Sequence, residues 1–154
     1  RLSINHPESV GGLVLVGAGA KLGVDQRILA GLDGKPLEAI ERIITPRSFY
    51  SVDLGLGREA RQALSLSNLP VFLNDYLACN GFDVRPDLPK ISVPTLVVCG
   101  DRDEMTPPKW AHYLNQHILD SELRFVKDAG HMLPLEKPEA LAGLVQWFLQ
   151  SLTR

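Results

Sequence analysis

The chain lacks the features that mark several large classes of protein. Among its 154 residues are only two cysteines, Cys79 and Cys99, which are too few for a disulfide framework and form no paired motif for zinc. The formal net charge of −2 gives no strong field of either sign, which argues against nucleic acid as the main partner. We therefore expect a reduced chain in which Cys99, at the end of an apolar run, is a small buried residue.

Long hydrophobic segments are missing as well. The longest apolar run, Gly11–Ala20, is too short and too rich in glycine to span a bilayer, and no signal peptide is visible. We accordingly expect no membrane partner, and the two unpaired cysteines make a reducing cytoplasm the default location. The absence of a signal carries little weight, because the chain begins at Arg1 rather than at a methionine and is expected to start inside something larger.

The composition is that of one ordinary globular domain. The chain is 45% hydrophobic and 22% charged, and a chain of this length buries about 70% of its unfolded surface. Three segments predict β-strands: Leu13–Val16, Thr95–Cys99 and Glu122–Val126. The first two are continuous apolar runs of the kind that is buried on both faces of a parallel sheet.

Helical patterns accompany these strands. Arg1–Asn5 looks like the last turn of a helix that the following His-Pro pair ends. Thr106 is placed to cap a helix over Pro107–Leu119, and Pro138 opens a last helix. The last helix has an apolar stripe at helical spacing: Leu141, Leu144, Val145, Phe148, Leu149 and Leu152. Strands alternating with helices predict an α/β fold with parallel strands and flanking helices.

Residues 21–87 interrupt this alternation. They predict several helices, at about Asp25–Leu32, Pro36–Ile44, Gly57–Leu66 and Pro70–Asn80, which is more chain than a crossover between two strands needs. We interpret residues 21–87 as a helical cap inserted between two core segments, residues 1–20 and residues 88–154. A longer helical crossover or a small helical subdomain is the alternative.

Two loops carry the candidates for chemistry, and each follows a predicted strand. The loop Gly100–Pro107 contains three acids, Asp101, Asp103 and Glu104, and the loop Asp128–Glu136 contains His131. In open α/β sheets, ligands bind beyond the carboxyl ends of the strands. We therefore expect a carboxylate and an imidazole to converge at this edge of the sheet.

These loops give the chain a resemblance to the α/β-hydrolase family. The matching residues are Val93–Gly100 followed by Asp103, and the pair Gly130-His131 followed by Leu135–Pro138. His6–Val10, which leads into the first strand, resembles the passage that follows the nucleophile elbow of that family. The resemblance covers nearly all of the chain, is weakest in the cap, and implies the C-terminal half of such a fold.

The order of the triad in that family is Ser, then Asp or Glu, then His. The resemblance implies that Asp103 is the acid and His131 the base. An imidazole, whose ordinary pKa is about 6.5, accepts a proton near neutral pH, and a carboxylate fixes its tautomer. Asp101 and Glu104 compete for the role of the acid, although Asp101 is expected to bond only local backbone amides in the turn. The loop Gly17–Gly19 after the first strand holds no acid, which favours Asp103.

Other residues are weaker candidates for the wall of a substrate pocket: Met105, Met132, Leu133, Val16, Phe72 and Tyr76. Ordinary packing is the alternative for all of them. The remaining histidines, His6, His112 and His117, have no convincing metal-ligand context, and we expect neither a metal nor an organic cofactor. Asp83 is interpreted as a hinge or ion-pair residue where the cap returns to the core.

The sequence has no recognisable nucleophile. No glycine begins the motif G-x-S-x-G, nor the same motif with Cys or Asp at its centre, and the oxyanion-hole loop is absent too. We expect the N-terminal half of the same hydrolase to supply the nucleophile as a second chain, packed against the apolar edge of Leu13–Val16. The chain alone is expected to be inactive, and a homo-oligomer is left open as a further partner.

Three functions fit these observations. The first is half of a serine hydrolase that acts on a small carboxylic ester, lactone or thioester. With an Asp nucleophile, the same half would serve a dehalogenase or an epoxide hydrolase, and carbon–carbon bond hydrolases and acyltransferases share it. The third is a non-enzymatic receptor for a small molecule, against which the presence of both Asp103 and His131 argues.

Overall fold

A computed structural model describes residues 1–39, 45–50 and 69–152 of the chain. The strands β1 (Leu13–Val16), β2 (Thr95–Gly100) and β3 (Ser121–Val126) form a parallel sheet in the order β1-β2-β3. The α-helices are α1 (Leu2–Asn5), α2 (Gln26–Gly34), α3 (Pro36–Ala39), α4 (Thr45–Ser48), α5 (Leu69–Asn80), α6 (Pro108–His117), α7 (Leu133–Glu136) and α8 (Pro138–Leu152). The 3₁₀ helices Pro7–Ser9 and Arg85–Lys90 were not predicted. The predicted α/β class and its parallel strands are confirmed.

The central strand β2 is buried along its whole length because helices cover both of its faces. Side chains alternate between the faces of a strand. Val97 and Cys99 pack into the cluster that contains Leu114 of α6, whereas Leu96 and Val98 pack into the cluster that contains Phe148 of α8. Each fully buried aliphatic side chain contributes about 1.5–3 kcal/mol. The continuous apolar run that predicted a doubly covered strand is explained by these two layers.

The apolar stripe of α8 meets the sheet along most of its length. Phe148 is buried, and Leu141, Leu144 and Leu152 pack against the same cluster. Leu149 was predicted to lie on this stripe, but 54% of its surface is exposed. Leu149 follows Leu141 by eight residues, which is about 2.2 turns of an α-helix. Leu149 is therefore rotated away from Leu141, to the margin of the stripe.

Residues 21–87 leave the sheet and return to it at adjacent points. Lys21 and Asp83 form an antiparallel bridge, and the amide of Val84 donates to the carbonyl of Ala20 at 2.9 Å. Asp83 also pairs with Arg85 at 2.6 Å, which confirms its predicted ion pair.

The helices within this stretch have an apolar cluster of their own: Ile28, Leu32 and Ala39, with Val24, Leu73 and Tyr76 beside them. The predicted helix Gly57–Leu66 lies outside the described residues, and the role of the stretch as a cap stays a prediction.

Two local predictions differ from the structure. Helix α6 begins at Pro108 without a side-chain cap, because the hydroxyl of Thr106 is bonded elsewhere. Helix α7 lies inside what was predicted to be a loop, since the carbonyl of Met132 accepts from the amides of Leu135 and Glu136 at 2.8 and 3.0 Å. Within residues 1–39, 45–50 and 69–152, no helix is long and apolar enough to cross a membrane.

Candidate active site

The loops that follow β2 and β3 contact each other through their backbones. The amide of Asp101 donates to Val126 and that of Arg102 donates to Ala129, both at 3.0 Å. At Gly100 a Cβ atom would lie 2.2 Å from the carbonyl oxygen of Ala129, so only glycine allows this approach. Because parallel strands end at the same edge of the sheet, the two loops are brought together there.

The carboxylate of Asp103 and the imidazole of His131 meet at this edge. The distance from His131 Nδ1 to Asp103 Oδ2 is 2.9 Å. The carboxylate is completely inaccessible, whereas 28% of the His131 side chain is exposed. The prediction that these two residues lie together is therefore confirmed. Since Nδ1 faces the acid, Nε2 on the opposite side of the ring is left to exchange a proton with another group.

The rest of the Asp103 carboxylate is bonded to its own loop. Oδ1 accepts from the amides of Met105 and Thr106 at 2.9 and 2.8 Å, and Oδ2 also accepts from the hydroxyl of Thr106 at 2.9 Å. Burial acts to raise the pKa of Asp103, but the hydrogen bond and charge of His131, with the bonds from Thr106, together lower that pKa below its ordinary value. The environment of Asp103 thus favours the charged carboxylate that orients an imidazole.

Thr106 joins three parts of the site, a role that the sequence did not predict. Its Oγ1 lies 2.8 Å from the carbonyl oxygen of Gly17, 2.9 Å from Asp103 Oδ2 and 3.1 Å from His131 Nδ1. Gly17 follows β1 with a φ of +53°, and a Cβ there would lie 3.2 Å from His131 Nδ1. The loops after all three strands therefore converge on the pair of Asp103 and His131.

Comparison with known proteins shows to which family this chain belongs. A model described as the alpha/beta hydrolase family matches residues 3–144. The chain belongs to the α/β hydrolase family. It is 29% identical to a pimeloyl-(acyl-carrier protein) methyl ester esterase of Neisseria meningitidis, over 97% of this chain and 64% of that protein.

Two further relatives agree with this family. The chain is 28% identical to 3-oxoadipate enol-lactonase 2 of Acinetobacter baylyi, over 94% of this chain and 57% of that protein. The solved structure of a thermophilic esterase matches this α/β hydrolase chain with a TM-score of 0.90 and 34% identity, over 98% of this chain and 60% of that one. The chain spans less than two thirds of the length of each of these proteins.

Asp103 is distinguished from its neighbouring acids by geometry. Asp101 was expected to bond local backbone amides in its turn, whereas the amides of Met105 and Thr106 in this loop donate to Asp103. Oδ1 of Asp101 is buried and has no hydrogen-bond partner, and Glu104 is exposed. Of the three acids in this loop, Asp103 is the one that hydrogen bonds to His131.

The predicted pocket residues of this α/β hydrolase differ in their burial and in what they pack against. Met105 and Met132 are half-buried beside the pair, so their assignment stays a prediction. Leu133 is completely buried in the core cluster with Phe148, and its assignment as a wall of the pocket stays a prediction. Val16 packs against the same core cluster.

The other two candidates, Phe72 and Tyr76, lie on helix α5. Tyr76 packs in the apolar cluster with Ile28 and Leu32 of α2, where burial and the neighbouring Cys79 raise its pKa to about 12. The side chain of Phe72 lies outside the described part of the chain. For both residues the assignment as pocket wall stays a prediction.

The remaining histidines and Cys99 form no hydrogen bond with Asp103 or His131 in the described part of the chain. His6 and His112 are exposed, and Nδ1 of His117 lies 2.8 Å from the carbonyl oxygen of Tyr113 on its own helix. Burial, with the charges of Asp103 and Asp101, raises the pKa of the Cys99 thiol to about 12, as expected of a buried and unreactive cysteine. Among the described residues, no cluster of His, Cys, Asp and Glu could hold a metal ion.

Proposed function

We propose that residues 1–154 supply the acid and the base of a serine hydrolase that cleaves carboxylic esters, lactones or thioesters. The observation that carries this proposal is the 2.9 Å contact between Asp103 and His131 at the carboxyl edge of a parallel sheet. The names of the relatives support the substrate class, because two are esterases and one is an enol-lactonase. Residues 21–87 would form the cap over the acyl group.

In this reaction His131 moves protons and Asp103 keeps the ring oriented. Nε2 of His131 accepts the proton of a serine hydroxyl as its oxygen attacks the carbonyl carbon, and the charge of Asp103 stabilises the imidazolium. His131 then gives this proton to the departing alkoxide or thiolate, which leaves an acyl-enzyme. A water molecule attacks the acyl-enzyme in the same way, and the carboxylic acid and the free serine result.

The serine itself is proposed to lie outside residues 1–154, in a segment or chain that packs against β1. No nucleophile-elbow motif occurs in the sequence, and in the described sheet β1 pairs with β2 on one side only. The four residues of β1 are apolar, and an apolar strand edge of this kind favours pairing with a further strand. Size exclusion with mass spectrometry tests this arrangement. A stable, folded monomer of 16.9 kDa would contradict it.

The function is tested on the full-length protein with p-nitrophenyl esters of different acyl lengths. His131→Ala should lower kcat by at least about a thousandfold, since it removes the base. His112→Ala is the matched control, because His112 is exposed on α6, and it should retain the wild-type rate. A fluorophosphonate probe should label one serine, identified by mass spectrometry.

Other outcomes would identify the competing functions. Turnover of haloalkanes or epoxides without labelling of a serine would indicate an Asp nucleophile. Ligand binding that His131→Ala leaves intact, with no turnover of any ester, would contradict the hydrolase and favour a receptor.

A further inference from the structure

The carboxylate of Glu136 bridges two backbone amides from distant parts of the chain. Oε1 accepts from the amide of Gly130, and Oε2 accepts from the amide of Tyr50, both at 2.9 Å. Hydrogen bonds to a charged acceptor are about twice as strong as those between neutral groups. Glu136 therefore connects Gly130, the residue before His131, to Tyr50 in the region interpreted as the cap.

A second hydrogen bond holds Met132, the residue after His131. The amide of Met132 donates to the carbonyl oxygen of Ser48 at 2.9 Å. Both chain neighbours of His131 are thus held to residues 48–50, one directly and one through Glu136.

The contact between this segment and the histidine loop is one of backbone against backbone. A Cβ atom on Gly130 would lie 2.5 Å from the amide nitrogen of Tyr50 and 2.9 Å from the carbonyl carbon of Phe49. Ser48 and Phe49 are buried. The guanidinium of Arg102, from the acid loop, lies over the ring of Tyr50 at 5.7 Å. Residues 48–50 therefore touch both loops that form the pair.

We infer that Glu136 is a positioning residue that couples the docking of residues 48–50 to the orientation of the His131 imidazole. The inference rests on the proposed function, in which His131 is the base. When the segment is docked, the backbone on both sides of His131 is fixed and the ring keeps its bond to Asp103. When either bond to Glu136 is lost, the loop shifts, and a misplacement of about 1 Å costs up to about a hundredfold in rate.

The test is Glu136→Gln in the full-length protein. Glutamine keeps one acceptor oxygen but places its NH₂ group against the second amide, so either Gly130 or Tyr50 loses its bond. Hydrogen exchange of that amide should become roughly ten- to a hundredfold faster. The downfield NMR signal of the proton between His131 Nδ1 and Asp103 should broaden or disappear, and kcat should fall about ten- to a hundredfold. Glu139→Gln, an exposed glutamate on α8, is the matched control and should change none of these readouts.

The readouts separate positioning from simple stabilisation. Faster amide exchange with an unchanged imidazole signal and unchanged kcat would overturn the inference, as would unchanged exchange. If wild-type protein hydrolyses no ester while exchange and the imidazole signal respond as expected, the coupling stands and the proposed function fails. If Glu136→Gln does not fold, Glu136→Asp is measured, because it keeps the charge but is too short to reach both amides. Failure of both variants to fold would make Glu136 a stability residue and overturn its positioning role.

Discussion

Replacing Asp103 with asparagine separates two roles of this side chain, since its two oxygens have different partners. Oδ1 accepts from the amides of Met105 and Thr106 at 2.9 and 2.8 Å, and the oxygen of asparagine retains both bonds. Oδ2 lies 2.9 Å from His131 Nδ1, where the NH₂ group of asparagine would donate to the ring. The imidazole would then carry its proton on Nε2 and could not accept one from a serine.

The loss of activity should be much larger than the loss of stability. With the wrong tautomer, kcat should fall about 10⁴-fold, which corresponds to about 5 kcal/mol of transition-state stabilisation. The free energy of unfolding should fall by only about 1–2 kcal/mol, because only the two contacts of Oδ2 are altered, the hydroxyl of Thr106 keeps the carbonyl of Gly17 as an acceptor, and the loop keeps its amide bonds. Asp103→Ala, in contrast, leaves two amides without an acceptor and should cost about 2–6 kcal/mol.

The assays are hydrolysis of a p-nitrophenyl ester by the full-length protein and unfolding in urea. Asp101→Asn is the matched control, because it makes the same chemical change two residues earlier in a side chain with no bond to His131, and it should stay within a few fold of wild type. If Asp103→Asn retains a tenth of the wild-type kcat, or if Asp101→Asn is the variant that loses activity, the assignment of the acid is refuted.

Two further predictions concern the surroundings of the pair. Thr106→Val keeps the shape of the side chain but removes the hydroxyl between Gly17, Asp103 and His131, so kcat should fall about tenfold and stability by about 1–2 kcal/mol. Thr95→Val, which removes a buried hydroxyl at the opposite end of β2, should cost similar stability with unchanged kcat in the same assay. Because the pKa of Asp103 is lowered, the stability it adds is complete above its unfolded pKa of about 3.9 and is lost as the pH falls through the folded pKa. Urea unfolding should therefore show wild type approaching Asp103→Asn in stability below about pH 4, and a difference independent of pH would contradict this.

The fold and the central pair could be predicted because each depends on strong, local features of the sequence. The run Thr95–Cys99 is apolar at every position but the first, as expected of a strand that is covered on both faces. The pair follows from topology, since parallel strands end at one edge and Asp103 and His131 each follow a strand. The family resemblance added the choice of Asp103 among three acids in its loop.

The supports of the pair could not be predicted because they depend on contacts between distant backbone groups. Thr106 was interpreted as a helix cap, which is the usual role of threonine before a proline-initiated helix. One local signal pointed elsewhere, because an aspartate commonly accepts the amides that follow it in a turn, and Asp103 stands three residues before Thr106. Glu136 lies within the segment Leu135–Pro138 that carried the family resemblance, but its role could not be predicted, since one of its partners, Tyr50, is far away in the sequence and belongs to another element.

The glycines at the site indicate what fixes the distance between Asp103 and His131. Gly100 and Gly130 lie where the backbone of one loop touches the backbone of another, with no room for a Cβ atom at either position. Such contacts place the loops before any side chain is considered, so the bond between Asp103 and His131 is a consequence of the loop geometry rather than its cause. For this reason Asp103→Asn should leave the loops in place while removing the charge. For the same reason a change in Glu136, which holds a loop through the amides of Gly130 and Tyr50, should disturb the imidazole.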